Sequence, residues 1–170
     1  LVTGVQTCAL PISMGVGKSA TCKELNKTLD KSVWLDGDWC WMMNPFIVND
    51  ENKQMVEDNI IYLLRKFLCN SSFEYIIFNW VIHREEIFDM ILKGVNDLEF
   101  ELFKITLICS QENLKNRILK DIKNNIRTEN SLEKSLDRLH LYQEMNTIKI
   151  DTSNITISET TNKIKDIIYT

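Results

Sequence analysis

The sequence lacks the patterns that would tie it to a membrane, to nucleic acid or to a disulfide framework. No apolar run approaches the roughly 20 residues that a membrane-spanning helix needs. The net charge of -4 provides no global basic field, which argues against nucleic acid as a partner. The five cysteines are scattered and form no C-x-x-C pair. This excludes the usual zinc and disulfide patterns and predicts a reducing, cytoplasmic setting.

Internal repeats and low-complexity linkers are also missing, so the 170 residues suit a single domain. The chain is 44% hydrophobic and 26% charged, which is enough apolar material for one core. Apolar, strand-like runs alternate with helical patterns along the whole chain. Strands that are apolar on both faces predict a parallel sheet of about five strands covered by helices, a three-layer α/β/α fold. Ligands of such sheets bind beyond the carboxyl ends of the strands.

The hydrophobic periodicity gives the order of these elements. Strands are predicted over 32–38, 73–82, 103–109 and 147–153. Helices are predicted over 18–30, 49–70, 83–95, 110–122, 132–145 and 157–170. Asn49 or Asp50 is the expected cap of the second helix, and Ser110 the expected cap of the fourth.

Gly15-Val16-Gly17-Lys18-Ser19 matches the end of a phosphate-binding loop of the pattern G-x-x-x-x-G-K-[ST]. Glycines let the backbone wrap an anion, and amide groups at the start of the following helix point at it. We expect Lys18 to reach the β- and γ-phosphates of ATP and Ser19 to offer its hydroxyl to Mg²⁺. The predicted nucleotide contacts are Ser13, Met14, Gly15, Val16, Gly17, Lys18, Ser19 and Ala20.

The front of this loop departs from the pattern, because Ile12 stands where the first glycine belongs. Residues 1–12 carry no charge, and "LVTGVQTCALPI" resembles the translation of a sequencing-library adapter. We therefore expect a non-native segment over 1–12 and one domain over 13–170. A genuine but divergent beginning is the alternative. "LVTGV" could stand in for the first strand only if it supplies similar apolar packing, and "QTCALPIS" would then form an overlong connection. We expect the 170-residue chain to bind ATP poorly or to fold poorly.

Two carboxylates, Asp36 and Asp38, form an acidic turn at the end of the predicted strand over 32–38, with Gly37 permitting a tight turn between them. An acid at this place can accept a proton from a substrate hydroxyl or hold a metal through water. We expect Asp36 to be the base and Asp38 to position substrate or metal; a solvated turn is the alternative. The expected aromatic wall of a substrate pocket is Trp39, Trp41 and Trp80, although these rings could equally belong to the core.

The end of the strand over 73–82 lacks an acid. A hydrolytic ATPase with a phosphate-binding loop usually carries one there to orient metal and water. Asn79 occupies the place and cannot act as a base. Arg117 and Arg127 lie in and after the helix over 110–122, where a mobile cationic lid over about 120–131 could stabilise a transferring phosphoryl group. Arg138 lies on an amphipathic helix and is expected to be structural.

From Ser13 onward the chain resembles small P-loop kinases: the adenylate-kinase-like enzymes, the shikimate and gluconate kinases, chloramphenicol phosphotransferase, and the proteins often called AAA family ATPases. "LDGD" is similar to the adenylyl-sulfate kinase pattern. "LICSQENLKNRI" looks like the start of the lid of the small P-loop kinases. The resemblance implies that Arg117 lies near the adenine or phosphates and that Asp151 and Thr152 lie near the base. Lys120 stands where such lids often carry a second arginine.

Together these features predict an ATP-dependent kinase. It would move the γ-phosphoryl group of ATP, with Mg²⁺, to a hydroxyl or phosphate of a small molecule or nucleotide. Lys18, Asp36, Asp38, Arg117 and Arg127 are the predicted catalytic residues. Two alternatives stay open: a P-loop ATPase without a small acceptor, and a nucleotide-binding module with lost catalysis. The sequence predicts neither the acceptor nor the oligomeric state.

Overall fold

The structure is a computed structural model that describes residues 6–11, 15–82 and 85–170. Its strands are β1 (Gln6–Pro11), β2 (Ser32–Asp36), β3 (Tyr75–Trp80), β4 (Glu101–Ile108) and β5 (Ile148–Asp151). Its helices are α1 (Lys18–Thr28), α2 (Asp50–Leu68), α3 (Glu85–Lys93), α4 (Gln111–Lys123), α5 (Asn130–Asp137), α6 (Leu139–Glu144) and α7 (Ile157–Ile168). A 3₁₀ helix spans Gly37–Trp41 directly after β2.

The five strands form one parallel sheet in the order β2-β3-β1-β4-β5. Each crossover between parallel strands needs a covering segment, which the helices provide. This confirms the predicted α/β fold with about five parallel strands. The carboxyl ends of β2 and β3 meet side by side, since Asp36 pairs with Asn79. The candidate site lies beyond this edge.

The first strand differs from the expectation, because residues 6–11, which were expected to belong to a connection, form it; "LVTGV" lies outside the described residues. Gln6 pairs with Tyr75 of β3 and with Glu101 of β4, so "QTCALP" is a central strand rather than a connection. Backbone groups make these ladders, and for that reason an unexpected sequence can occupy the position. The folded unit therefore includes residues 6–11, while a non-native origin of residues 1–12 stays a prediction. Ile12 lies outside the described residues.

Helices cover both faces of the sheet. On one face, α1, α4 and α7 bury a core that includes Leu25, Ile77, Ile118 and Ile164. On the other face, α2, α3 and α6 bury a core that includes Ile60, Ile76, Phe78, Phe88 and Tyr142. Successive residues of β3 alternate between these two cores, as side chains in a strand must. Both faces of the central strands are therefore buried, which explains their continuous apolar sequence.

Helix starts follow local side-chain chemistry. Asn49 caps α2 by accepting from the amide of Asn52 at 2.8 Å, and Ser110 caps α4. Thr156 and Glu159 form a capping box at the start of α7. Both predicted caps, Asn49 and Ser110, are confirmed. The first turn of α1 has no side-chain cap, so its amide groups are available for an anion.

The single helix predicted over 132–145 is wrong. The structure breaks it at Arg138, between α5 and α6. Leu132 and Leu136 pack on the face of α1, whereas Tyr142 and Met145 pack on the face of α2. One straight helix cannot reach both faces of the sheet. The chain therefore turns at Arg138 and leaves that side chain at the carboxyl edge.

Candidate functional site

The phosphate-binding loop carries two glycines in a conformation that other residues rarely adopt. Gly15 has φ 86° and Gly17 has φ 94°, both in the left-handed region. A Cβ on Gly15 would lie 2.8 Å from Cγ1 of Ile118. Val16 between them is buried and fixes the loop to the core. Ser13 and Met14, which the sequence places in this loop, lie outside the described residues.

The loop forms the floor of a cleft of about 570 Å³. The walls come from α4, from the turn that follows it, and from the segment between β5 and α7. Among the predicted site residues, the cleft is lined by Gly15, Val16, Gly17, Lys18, Ser19, Ala20, Arg117, Arg127 and Thr152. It is also lined by Asp38, Lys120, Asp121 and Thr156. Amides at a helix start facing a cationic cleft suit a polyphosphate. We call this the nucleotide cleft.

Arg117 is held in the wall of the nucleotide cleft by one residue. Its Nη1 donates to the hydroxyl of Thr152 at 3.1 Å, and its Nη2 donates to the carbonyl of the same residue at 2.6 Å. The hydroxyl of Thr152 donates in turn to the carbonyl of Ile108. The guanidinium is thus fixed to the ends of β4 and β5, where the resemblance expects the base or phosphates.

Asp151 does not line this cleft, although the sequence analysis places it beside Thr152 in nucleotide binding. It is exposed, and its carboxylate accepts from the amide and the hydroxyl of Ser153. These hydrogen bonds hold the pKa of Asp151 below its usual range. The carboxylate therefore shapes the turn after β5.

The lid region contributes a second arginine to the cleft. Nε of Arg127 lies 2.9 Å from Oδ2 of Asp121, and both side chains are partly buried. Lys120 lines the same wall. Two cations and one carboxylate therefore face the loop from the end of α4 and the turn beyond it, which lie within the predicted lid over about 120–131.

Lys18 lies between the two carboxylates that follow β2. Its Nζ is 3.0 Å from Oδ2 of Asp38 and 3.8 Å from Oδ1 of Asp36. The side chain of Asp36 is 6% exposed, whereas that of Asp38 is 52% exposed. Asp36 also accepts a hydrogen bond from the amide of Asp38 at 3.0 Å. Asp36 is therefore an internal anchor of the turn, and Asp38 is the carboxylate that a ligand can reach.

A second cleft of about 960 Å³ lies on the other side of Asp38. The 3₁₀ helix and the loop after it, the end of β3, and residues of α2 and α3 surround it. Trp41 and Trp80, two of the predicted substrate contacts, line it, and Arg138 enters it from the α5–α6 junction. We call it the acceptor cleft, because it is where we propose that a phosphoryl acceptor binds. Asp38 lines both clefts, so it stands at their junction.

Two of the predicted substrate contacts do not line the acceptor cleft, namely Trp39 and Asp36. The ring of Trp39 packs instead against Trp34, with centroids 4.9 Å apart. A 3₁₀ helix turns once in three residues, so positions 39 and 41 point in different directions. Gly37 allows the helix to approach β3 closely, because a Cβ there would lie 2.5 Å from Cγ of Trp80.

Asn79 offers a hydrogen-bond donor rather than a metal ligand. The indole of Trp34 donates to its Oδ1, and an indole can only donate, so the amide nitrogen must point away from Trp34. This nitrogen is buried and has no partner among the residues that the structure describes. The amide oxygen is occupied, and Asn79 cannot replace the acid that this strand end lacks.

Magnesium would find its protein oxygens elsewhere. The described ranges contain no group of three His, Cys, Asp or Glu residues that could hold a metal ion. Mg²⁺ bound with a nucleotide needs only one or two protein oxygens, since phosphates and water complete its shell. Ser19 is exposed in the nucleotide cleft, and Asp38 reaches the same cleft. These two side chains fit such an ion.

Arg138 and Tyr142 are the residues that sequence reasoning missed. The guanidinium of Arg138 has no hydrogen-bond or ion-pair partner within residues 6–11, 15–82 and 85–170. Tyr142 is 1% exposed, and its hydroxyl has no partner in the same ranges. Burial raises the pKa of Tyr142 to about 12, with the charge of Arg138 lowering it and that of Asp38 raising it. The helical pattern of the sequence gave no sign that Arg138 lines a cleft or that the hydroxyl of Tyr142 is buried.

Comparisons with known proteins agree with this fold. The AAA domain family model matches residues 13–137, and no curated protein matches the chain. A gluconokinase from Sinorhizobium meliloti 1021 is 13% identical with a TM-score of 0.66, covering 97% of this chain and 96% of that chain. A shikimate kinase from Acinetobacter baumannii, in complex with shikimate, is 18% identical with a TM-score of 0.64, covering 97% and 93%.

A third similar structure is the APS kinase CysC of Mycobacterium tuberculosis, in complex with AMPPNP and APS. It is 13% identical with a TM-score of 0.65, and the match covers 97% of this chain and 98% of that chain. At these identities the likeness concerns the fold. Among the helices that the structure describes, none has the length and apolar character to cross a membrane.

Proposed function

This chain belongs to the AAA domain family, within the P-loop kinase-like NTPases, and on that premise we propose that it is a small-molecule kinase. It binds ATP in the nucleotide cleft and transfers the γ-phosphoryl group to a hydroxyl of a molecule in the acceptor cleft. The solved structures to which it is similar include kinases of gluconate, shikimate and APS. The acceptors of those kinases do not identify the acceptor of this chain.

One observation carries the proposal: Asp38 lines both clefts while it contacts the loop lysine. Its Oδ2 lies 3.0 Å from Nζ of Lys18. A group that reaches phosphate on one side and a hydroxyl on the other is what phosphoryl transfer requires, because donor and acceptor must meet in line. A hydrolytic ATPase has no need for the acceptor cleft.

The reaction follows from this placement. The acceptor oxygen forms a bond to the γ-phosphorus, and the bond from that phosphorus to the bridging oxygen of ADP breaks. ADP leaves with the electron pair, and the hydroxyl proton passes to the carboxylate of Asp38. Asp36 was the base expected from the sequence, but it is buried and lines neither cleft. Asp38 has the better access, and Asp36 holds Lys18 and the turn in place.

The remaining charged groups offset the charge of the phosphates. Lys18 and the amides at the start of α1 approach them from below, and Arg117 and Arg127 line the opposite wall. Mg²⁺, when bound with ATP, would supply further positive charge next to Ser19 and Asp38. Such preorganised charges act on the transferring group without rearrangement of solvent.

The alternative of a P-loop ATPase without an acceptor has less support. The end of β3 carries Asn79, whose oxygen already accepts from Trp34. No acid is therefore available there to orient an attacking water. A nucleotide-binding module without catalysis would also leave the aromatic acceptor cleft unexplained.

The test measures ATP binding by calorimetry and acceptor-dependent ADP formation with a panel of hydroxyl compounds. We expect ATP to bind and ADP formation to rise with an acceptor. Lys18→Ala should abolish both, since the lysine contacts the phosphates. Lys31→Ala is the matched control, because Lys31 is exposed, lines neither cleft and pairs with Glu74 at 2.5 Å. ATP turnover that no acceptor stimulates, or that survives Lys18→Ala, would overturn the proposal.

A further inference from the structure

The walls of the acceptor cleft are mainly aromatic and apolar. The indoles of Trp41 and Trp80, the ring of Phe46 and the thioethers of Met42 and Met43 surround it. Phe46 is 66% exposed and Met42 is 84% exposed. Large apolar side chains that remain exposed around a concave site mark a surface for an apolar ligand. A polyol would instead need a hydrogen-bonding partner for each hydroxyl, and these walls offer few.

Four charged side chains line the cleft: the carboxylates of Asp38 and Glu57 and the cations of Lys53 and Arg138. Lys53 is exposed and already pairs with Asp50 at 3.2 Å. Arg138 is half-buried, and its guanidinium has no ion-pair or hydrogen-bond partner in the part of the chain that the structure describes. A guanidinium has five donors in a planar fork that matches a carboxylate or a phosphate. Arg138 is therefore the cation in this cleft that a ligand can satisfy.

Arg138 and Asp38 both line the acceptor cleft. The hydroxyl of Tyr142 responds to both charges, because Arg138 lowers the pKa of this group and Asp38 raises it. The same hydroxyl is buried and unpartnered among the described residues. A ligand that contacts Arg138 can thus place another of its groups at Asp38, the proposed base.

We infer that the phosphoryl acceptor is a hydroxyl compound with a flat apolar body and one anionic group, which Arg138 binds while Asp38 faces the hydroxyl. This inference rests on the proposed function and names the substrate class of the same site. The aromatic side chains contact the body, the guanidinium fixes the anion, and the carboxylate receives the proton. A sugar acid with many hydroxyls does not fit these walls.

Four probes test the inference in the phosphoryl-transfer assay. They are para-hydroxymethylbenzoate, para-hydroxymethylphenyl phosphate, para-methylbenzyl alcohol and gluconate. The first two carry an aromatic body and an anion, the third lacks the anion, and the fourth lacks the apolar body. We expect the highest kcat/KM with one of the first two, and their comparison tells carboxylate from phosphate. A higher kcat/KM with gluconate or with the neutral alcohol would overturn the inference.

Two variants locate the contacts. Arg138→Gln should raise KM for the preferred anionic probe by about tenfold or more, since a charge-assisted hydrogen bond is lost. It should leave the neutral alcohol and ATP binding unchanged, and Arg138→Lys should restore part of the effect. Phe46→Ala should weaken the aromatic probes and not gluconate. Tyr62→Ala is its control, because Tyr62 is also an exposed ring, at 60%, but lies outside the cleft.

The outcomes separate the two proposals. If ATP does not bind, or if turnover does not depend on Lys18, the proposed function fails. If ATP binds and Lys18 is required, but Arg138→Gln leaves the preference among the probes unchanged, only the acceptor inference fails. ATP binding without turnover of any of the four probes also counts against the inferred class. Thermal unfolding of each variant confirms that the fold is retained.

Discussion

The ammonium group of Lys18 and the carboxylate of Asp38 form an ion pair across the junction of two clefts, with Nζ and Oδ2 3.0 Å apart. Lys18 is only 10% exposed, so its charge is screened less than that of a surface lysine. Asp36 lies 3.8 Å from the same ammonium group. Phosphates that enter the nucleotide cleft must share Lys18 with these two acids.

Asp38→Asn tests this relationship. The variant loses the proposed base, and phosphoryl transfer should fall by about a hundredfold or more. ATP affinity should stay equal or rise, because Lys18 then has one less competing anion. Calorimetry and steady-state kinetics measure the two effects separately.

Asp97→Asn is the matched control for that variant. It also breaks an ion pair of an aspartate, with Nη2 of Arg65 at 2.8 Å from Oδ2, but it touches neither cleft. Its transfer rate should equal that of the unchanged protein. A fall in ATP affinity with Asp38→Asn that matches its fall in turnover would contradict the division of roles.

Gly15→Ala should destabilise the protein by about 1–3 kcal/mol and weaken ATP binding. The residue has φ 86°, and the new Cβ would lie 2.8 Å from Ile118. Gly94→Ala is the control, because its Cβ would crowd Ile61 at 2.7 Å far from the loop. It should lose stability in urea and keep its ATP affinity. Equal ATP affinity for both variants would show that the loop conformation does not matter.

Thr152→Val should weaken ATP binding by about three- to tenfold with little change in kcat. The variant removes the hydroxyl that accepts from Arg117 at 3.1 Å, so the guanidinium is held less firmly. Thr161→Val removes another buried hydroxyl, which donates to the carbonyl of Ile157 within α7. That control should bind ATP normally. Unchanged kinetics in Thr152→Val would remove Arg117 from the nucleotide site.

Asp97→Asn should also change how stability depends on pH. The guanidinium of Arg65 lowers the pKa of Asp97 from 3.8 to about 2. A lowered carboxyl pKa stabilises the fold above the unfolded value, and this contribution disappears as pH falls from about 4 towards 2. The unchanged protein should therefore be more stable in urea at neutral pH than the variant, and the difference should vanish near pH 2.

Glu74→Gln is the control for the pH series. Its ion pair with Lys31 joins two side chains that are each more than half exposed, and such pairs contribute little. The free energies of unfolding of Glu74→Gln and of the unchanged protein should then have the same dependence on pH over this range. A difference between Asp97→Asn and the unchanged protein that persists in acid would need another cause.

Ile12→Gly should raise ATP affinity several-fold, since the loop pattern requires glycine at this place. The two neighbouring glycines already show that this loop uses backbone conformations that side chains oppose. The gain should disappear when Lys18→Ala is added, because both changes act on the same phosphates. Equal affinity of the Ile12→Gly variant and the unchanged chain would mean that the front of the loop does not limit binding.

The parts of the fold that depend on local chemistry could be predicted from the sequence. Asn49 and Ser110 each accept a hydrogen bond from an amide three residues later. A few neighbouring residues therefore determine where each of these helices begins. Continuous apolar runs gave the strands, because both sheet faces are covered. Gly17, Lys18 and Ser19 lie in the nucleotide cleft because a short motif determines their geometry.

The features that depend on distant partners could not be predicted. The break at Arg138 follows from packing on two faces of the sheet, which no local pattern encodes. The different exposure of Asp36 and Asp38 depends on the turn of a 3₁₀ helix, and this also separates Trp39 from Trp41. The place of Arg138 in the acceptor cleft required the whole fold, since α2, α3 and the loop after β2 form the other walls.

The position of β1 has a consequence for how the chain acquires its structure during synthesis. Among the strands that the structure describes, β1 comes first in the chain, yet its two neighbours begin at Tyr75 and Glu101. It therefore has no partner strand until β3 has been synthesised, and the middle of the sheet stays incomplete until β4 follows. Long-range pairing of this kind slows folding and exposes strand edges to other chains. The step at which β1 inserts between β3 and β4 is where folding competes with aggregation.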